Sequence, residues 1–393
     1  MKLGLLAPRQ ASWAAGTIYL HNLIGALSLL PKQEKPPVFL FFGPKSRSRS
    51  FSLLGNLMPP AFFYSYRNNS PLWKKFAGSW LNTARLKKPV SLERLIKATQ
   101  TSALFPSNFL SKPYTSISHI SWIPDLQHVR YPQFFSEEEH TKRNILYRKY
   151  IESSNHLVVS SQDAFNDLNR YFSIDPQKVS IIPFAAYPFS SWYQDEPIDV
   201  VKKFRLPSKF LIFPSQFWIH KNHRCIFDAV QKLRDSGLKD IALVCTGYTH
   251  DHRHPYYFRE LKQMIRKQRL YDHIFILGLL PRIKQIQLIR QSVAVVQCSL
   301  HEGWSAIVED AVALGKKIYL SDIPVHREQD PPQVKFFNPN NFEALGEIIR
   351  TDWANLEPGP DLKQEAQAEK KQKVRALCFA QNFQTMLKKV AEK

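Results

Sequence analysis

Two short segments gather the side chains best suited to a charged, hydroxylated ligand. The first is Ser215-Gln216-Phe217-Trp218-Ile219-His220-Lys221-Asn222-His223. Its lysine, Lys221, falls where a helix is expected to begin, so an ammonium charge adds to the unpaired backbone N–H groups of a helix start. That combination suits a diphosphate. The competing assignment is a solvated basic loop. The second segment is His301-Glu302-Gly303-Trp304-Ser305-Ala306-Ile307-Val308-Glu309-Asp310. Here Glu302 is expected to close a strand, Gly303 lets backbone approach a ligand, and the helix opening at Trp304 and Ser305 aims its N–H groups at the same point. A carboxylate in that place can accept hydrogen bonds from a sugar diol while the amides hold phosphate. Glu309 and Asp310 follow about two turns along, and either would reach a ribose. The competing assignment makes Glu302 a helix cap and Glu309 and Asp310 a solvated face.

Other candidates are less concentrated. Asp125 and His128 follow an expected strand and would face a ligand cleft from the acceptor side. His250, His252 and His254 cluster locally and could bind a metal adventitiously, although an exposed loop is the preferred reading. No Asp-x-Asp pair stands in a loop able to hold a metal, so metal-free chemistry is expected. The four cysteines, Cys225, Cys245, Cys298 and Cys378, are widely spaced and read as reduced, buried thiols.

The elements that must position these groups alternate regularly. Strand-like runs at 210–213, 241–245, 274–277, 293–296, 318–320 and 335–337 are separated by helical stretches, one with the face Ile226, Phe227, Val230 and Leu233 ending at Gly237. This is the pattern of βαβ units on a parallel sheet, whose ligands bind beyond the carboxyl ends of the strands. The amino half shows the same alternation less regularly, with strands at 2–7, 38–42, 118–123, 156–160 and 179–183 and helices at 17–30 and 162–172. Residues 44–115 resist assignment. The expected organisation is an amino-terminal Rossmann-like domain over 1–190, a Pro-punctuated linker over 191–207, a nucleotide-sugar-binding domain over 208–361, and a helix over 362–393 packing across both. The fold class is α/β, with two doubly wound domains facing a cleft.

Bulk properties narrow the partners. Apolar residues make up 44% of 393 residues, enough for two cores. No run reaches the roughly 20 apolar residues of a membrane-spanning helix, and the apolar start breaks at Pro8 and Arg9, too early for a signal peptide. A cytoplasmic chain is expected. The net charge of +21 is uneven: residues 1–92 hold one acid, Glu34, against thirteen lysines and arginines. Aromatics and cations interleave at Trp73-Lys74-Lys75-Phe76, Trp80, Arg85, Lys87 and Lys88, a composition fitting an anionic membrane surface, nucleic acid or simply a solvated face. Peripheral contact with the inner face of a membrane is preferred, and no nucleic acid is expected as partner.

The two loops at this spacing resemble the GT-B retaining glycosyltransferases grouped as family 4, the glycosyl transferases group 1. The resemblance runs strongly from Phe210 to about Trp353 and more loosely through Trp122–His128 and Val158–Ala164. In that family a Glu, seven residues and a second Glu contact the transferred sugar and the nucleotide ribose. Here the positions are Glu302 and Asp310, with Glu309 beside the latter. The resemblance places the phosphate lysine at Lys221 and Ser215 where many members carry an arginine. It implies that the backbone of Gly278-Leu279-Leu280-Pro281-Arg282 meets the nucleobase. Ser12-Trp13-Ala14-Ala15-Gly16-Thr17 stands for the glycine loop facing sugar and phosphate, with Gly16 its one glycine. The implied activity moves a sugar from a nucleotide-diphosphate donor to a glycan or lipid-linked acceptor with retention, without cofactor, the leaving phosphate taking the acceptor proton. Positioning and charge stabilisation would supply catalysis. A sugar-nucleotide epimerase or a catalytically weak carbohydrate- or nucleic-acid-binding protein is the alternative on the same fold.

Overall fold

The computed structural model describes residues 1–8, 14–42, 63–65, 91–110, 114, 116–194 and 196–392. The chain divides into two compact units. The first comprises Met1–Leu126, Thr141–Tyr187 and Lys373–Lys393, and the second Gln127–His140 and Pro188–Gln372.

The first segment of the chain supplies β1 (Leu3–Leu6), α1 (Ala14–Leu27), β2 (Val38–Phe42), β3 (Phe63–Ser65), α2 (Leu92–Thr99), β4 (Ala103–Phe105) and β5 (Ser118–Ile123). After the short α3 (Gln127–Arg130) come α4 (Glu137–Ser153), β6 (His156–Val159), α5 (Gln162–Tyr171) and β7 (Val179–Ile181). The seven strands form one sheet in the order β3-β2-β1-β4-β5-β6-β7, every pair parallel. Strand order reverses between β1 and β4, so the loop leading to Gly16 leaves the sheet at its switch point. Tyr19, fully buried on α1, stacks on Trp122 at 4.1 Å and meets Phe379 at 5.8 Å.

The second unit continues with α6 (Pro197–Phe204), β8 (Leu211–Phe213), α7 (His223–Asp235), β9 (Leu243–Thr246), α8 (Tyr257–Lys267), β10 (Ile274–Gly278), α9 (Arg282–Gln291) and β11 (Ala294–Gln297). Then follow α10 (Ala306–Ala313), β12 (Ile318–Ser321), α11 (Pro324–Gln329), β13 (Val334–Phe337), α12 (Phe342–Trp353) and α13 (Leu362–Ala391). Its six strands run parallel in the order β10-β9-β8-β11-β12-β13. Ile226, Phe227, Val230 and Leu233 of α7 are each fully buried against this sheet. Burying such a side chain contributes roughly 1.5–3 kcal/mol before chain entropy is subtracted. Here the order reverses between β8 and β11, the two strands whose following loops carry Lys221 and Glu302.

Two expectations change. Residues 191–207 are not an extended linker: Pro197 takes the first turn of α6, where its missing N–H is harmless, and Val200 and Val201 are buried. Cys225, Cys245 and Cys298 are buried, but Cys378 is exposed. Helix α13 belongs to the second unit through Gln372 and to the first from Lys373 onward. The basic stretch from Trp73 to Lys88 lies outside the described residues. Among the described residues no helix is long and apolar enough to cross a membrane.

Candidate functional site

The loop after β8 is fixed along its whole length. Ser215, at the position where many family members carry an arginine, donates its hydroxyl to Gln297 at the end of β11, 2.9 Å away, and so links the two central strands. Phe217 is fully buried, stacked on His223 at 4.2 Å, and its N–H donates to the Tyr248 carbonyl at 2.9 Å. A single 3-10 turn, Ile219–Lys221, then brings the chain to Asn222, whose left-handed backbone (φ 58°) starts α7. Lys221 therefore projects from the turn immediately before a 13-residue helix, as its sequence position implied.

The loop after β11 runs from Cys298 to Ser305. Glu302 stands within it rather than at the strand end, because β11 stops at Gln297. Nor does Glu302 cap α10: Ser305 does, accepting from the Val308 N–H at 3.4 Å. Glu302 is instead ion-paired to Lys221, with 11% and 16% of the two side chains exposed, and accepts from the Ser299 hydroxyl at 2.6 Å. The Leu300 N–H donates to the His220 carbonyl at 2.8 Å, so backbone as well as side chains join the two loops at the switch point. Burial pushes the Glu302 carboxyl up, but the Lys221 charge and the hydrogen bonds from Lys221 and Ser299 outweigh it and hold the group below the usual carboxylate range.

Glu309 and Asp310 are both fully buried, not solvated, and their surroundings separate them. Glu309 accepts from Trp304 Nε1 at 3.2 Å, Gln329 Nε2 at 2.9 Å and Gln372 Nε2 at 3.2 Å. Gln329 also pairs with the Ser305 backbone through both its N–H and its carbonyl, at 3.3 and 3.0 Å, so Glu309 braces the loop that carries Glu302, Gly303 and Trp304. Asp310 ion-pairs through Oδ1 with Arg282, at the start of α9, while its Oδ2 has no hydrogen-bond partner among the described residues. Burial raises the Asp310 carboxyl more than Arg282 lowers it, and neighbouring Glu309 adds to the rise. The Arg282 guanidinium lies 5.4 Å over the Trp192 ring.

The remaining candidates divide between the two units. Gly278 ends β10 with φ 68°, and Leu279 is 60% exposed beside Arg282. Gln216 is half-buried, with Oε1 unpartnered among the described residues. Gly16 is buried in the first turn of α1, whereas Ser12 and Trp13 lie outside the described residues. Asp125 belongs to the first unit, where its carbonyl accepts from Tyr147 at 2.9 Å, and His128 belongs to the second. His128 is wholly buried, its ring 5.9 Å from His140 and 6.3 Å from Phe135. The three-histidine loop is not simply exposed either, because Asp251 and Arg253 between those histidines are buried. Sequence reasoning missed Ser299, Gln329 and Asp251, which have no local signature. Arg282 could have been found, since a cation at a helix start after β10 repeats the logic applied to Lys221.

Two doubly wound parallel sheets, the second carrying a lysine and a carboxylate at its switch point, define the GT-B fold class. Comparison with solved structures agrees. HepE of Anabaena, solved with UDP and glucose, superposes with a TM-score of 0.67 at 15% identity, covering 99% of each chain. A glycosyltransferase of Rickettsia africae gives 0.63 at 16% identity over 100% of this chain and 99% of that one. Residues 194–369 match the family model for glycosyl transferases group 1. The O-antigen chain mannosyltransferase RfbU of Salmonella typhimurium is 22% identical over 239 residues. That match spans 61% of this chain and 61% of the relative.

Proposed function

We propose that the protein transfers a sugar from a nucleotide-diphosphate sugar to a glycan or lipid-linked acceptor, with retention at the anomeric carbon, in polysaccharide or glycolipid assembly. The observation that carries this is the Lys221–Glu302 pair joining the loops after β8 and β11 at the second sheet's switch point. A donor diphosphate would draw the Lys221 ammonium to itself, in line with the amino end of α7. Glu302, released from its ion pair but still held by Ser299, would accept from hydroxyls of the transferred sugar. Asp310, with one oxygen unpartnered among the described residues, is the better ribose acid, and Glu309 is committed to bracing the loop.

In this proposal the reaction needs no metal, because Lys221 and the starts of α7 and α10 meet the charge of the leaving diphosphate. The leaving phosphate takes the acceptor proton, and Asp125 positions the acceptor. The UDP-bound neighbour and the mannosyltransferase relative support a nucleotide-sugar donor. The test mixes the protein with UDP-, GDP- and ADP-sugars and follows binding and slow hydrolysis with and without chelator. Binding to one base class, weakened but still measurable in Lys221→Ala and Glu302→Ala and insensitive to chelator, is expected. Absence of binding to all three, or variants that bind as well as the parent, would refute the assignment.

A further inference from the structure

The loop after β9 is tied to the loop of Lys221 at three successive points. At Gly247 the backbone (φ 138°) passes so close to Ser215 that an added methyl would overlap the Ser215 carbonyl. One residue on, the Tyr248 carbonyl accepts from the Phe217 N–H at 2.9 Å. Asp251, 2% exposed, then accepts through Oδ2 from the Ile219 N–H at 3.3 Å, the first residue of the turn that ends in Lys221. Its other oxygen accepts from Arg253, from the backbone N–H at 3.1 Å and from Nε at 3.2 Å. The Arg253 guanidinium is equally enclosed. It lies 5.3 Å over Trp218 and 4.9 Å over Phe135, and donates to Gln127 at 3.1 Å. Segment 127–140 is further held by His254, whose Nε2 lies 3.1 Å from the Phe134 carbonyl, and by Tyr131, which donates to the Leu300 carbonyl at 3.0 Å.

A buried ion pair is a weak source of net stability, since the desolvation of both charges offsets their attraction. What it supplies here is geometry. The Ile219 amide is a backbone donor that the 3-10 turn itself leaves unpaired, and a charged acceptor fixes it more firmly than a neutral one. The Arg253 guanidinium, stacked over Trp218, packs the same turn from the side.

We infer that Asp251, backed by Arg253, is a positioning residue for Lys221: it sets the ammonium where a diphosphate, and in its absence Glu302, is met. This rests on the donor-site proposal above. The loop's histidines, which drew attention in the sequence, matter less than the acid and arginine between them.

The experiment combines Asp251→Asn, Arg253→Lys and Lys221→Ala, singly and with each first change in the Lys221→Ala background. Affinities for UDP, GDP and ADP are measured by calorimetry, and amide exchange is followed over 216–222. Asp251→Asn is expected to weaken the nucleotide bound by the parent roughly tenfold, a coupling usual between residues sharing a network. It should have no further effect once Lys221 is alanine, and exchange should quicken at Ile219 while the strands stay protected. Arg253→Lys, which keeps a cation beside Asp251 but loses the stacked plane, should fall between. Equal losses with and without Lys221, or unchanged exchange at Ile219, would overturn the inference. Should Asp251→Asn fail to fold, the same two criteria are applied to Arg253→Lys. If the parent binds none of the nucleotides, the donor-site proposal falls, and exchange at Ile219 alone decides whether Asp251 holds the turn.

Discussion

At the scale of single residues, the two acids nearest the proposed donor site carry opposite pH signatures. Glu302 has its carboxyl held low in the folded state, so the stability it contributes is present above the unfolded carboxylate range and is lost as pH falls through its folded value. Asp310 has its carboxyl raised by burial, so ionising it at neutral pH costs stability. Asp310→Asn is therefore expected to melt at the same temperature as the parent or higher while losing nucleotide affinity, as thermal melts with and without nucleotide would show; a marked fall in melting temperature would contradict this. Histidines add a third signature. Burial lowers His223 to about 3 and His326 to about 4. The unfolded rings protonate near 6.5, so the unfolded chain binds more protons between these values and stability drops as pH falls below about 6.5. Urea melts from pH 7 to 4.5 should show that slope, and His326→Gln should flatten it by on the order of 1 kcal/mol per pH unit at most.

Lys221 and Glu302 were legible from residue type and spacing because each sits in a loop whose place follows from simple alternation. The division of labour between Glu309 and Asp310 was not. It depends on Gln329 and Gln372, which lie 20 and 63 residues from Glu309, and nothing local announces that they meet there.

At the scale of elements, the second sheet could be read strand by strand, since each strand is an apolar run bounded by polar turns. Helix α4 could not, because its seventeen residues bury only Tyr147 and so carry no apolar stripe. Helix α6 was hidden for another reason: Pro197 looks like loop punctuation unless it is recognised as a helix opener. Helix α13 was foreseen from composition, but what anchors its first turns was not. Arg290 donates to both oxygens of Glu365, at 2.7 and 2.9 Å, with both side chains nearly buried. Removing one partner strands a charge, so Glu365→Ala should cost about 3 kcal/mol in denaturant melts, whereas Lys371→Ala at an exposed position of the same helix should cost under about 1. A loss below 1 kcal/mol for Glu365→Ala would show that Arg290 finds other company.

For the molecule as a whole, residues 1–92 contribute +12 of the net charge of +21, most of it from positions outside the described residues. The family match lies wholly within the second unit, while the likeness to solved structures covers both units. The core of the first unit draws on the far end of the chain: Phe383 meets Phe105 at 5.0 Å and Phe379 meets Tyr19 at 5.8 Å, and all four rings are buried. Truncation after Gln372 should therefore lower the stability of the first unit selectively. Limited proteolysis would show it, with new cuts relative to the full chain appearing within residues 1–126 and 141–187 while residues 208–361 stay resistant; equal resistance in both regions would refute the claim.

That shared helix also sets an order of events during synthesis. The amino-terminal sheet leaves the ribosome first, yet Phe379 and Phe383 arrive only after the entire second unit has emerged. Its aromatic core must wait, partly open, for well over a hundred residues of further translation, so the domain made earliest is the one finished last.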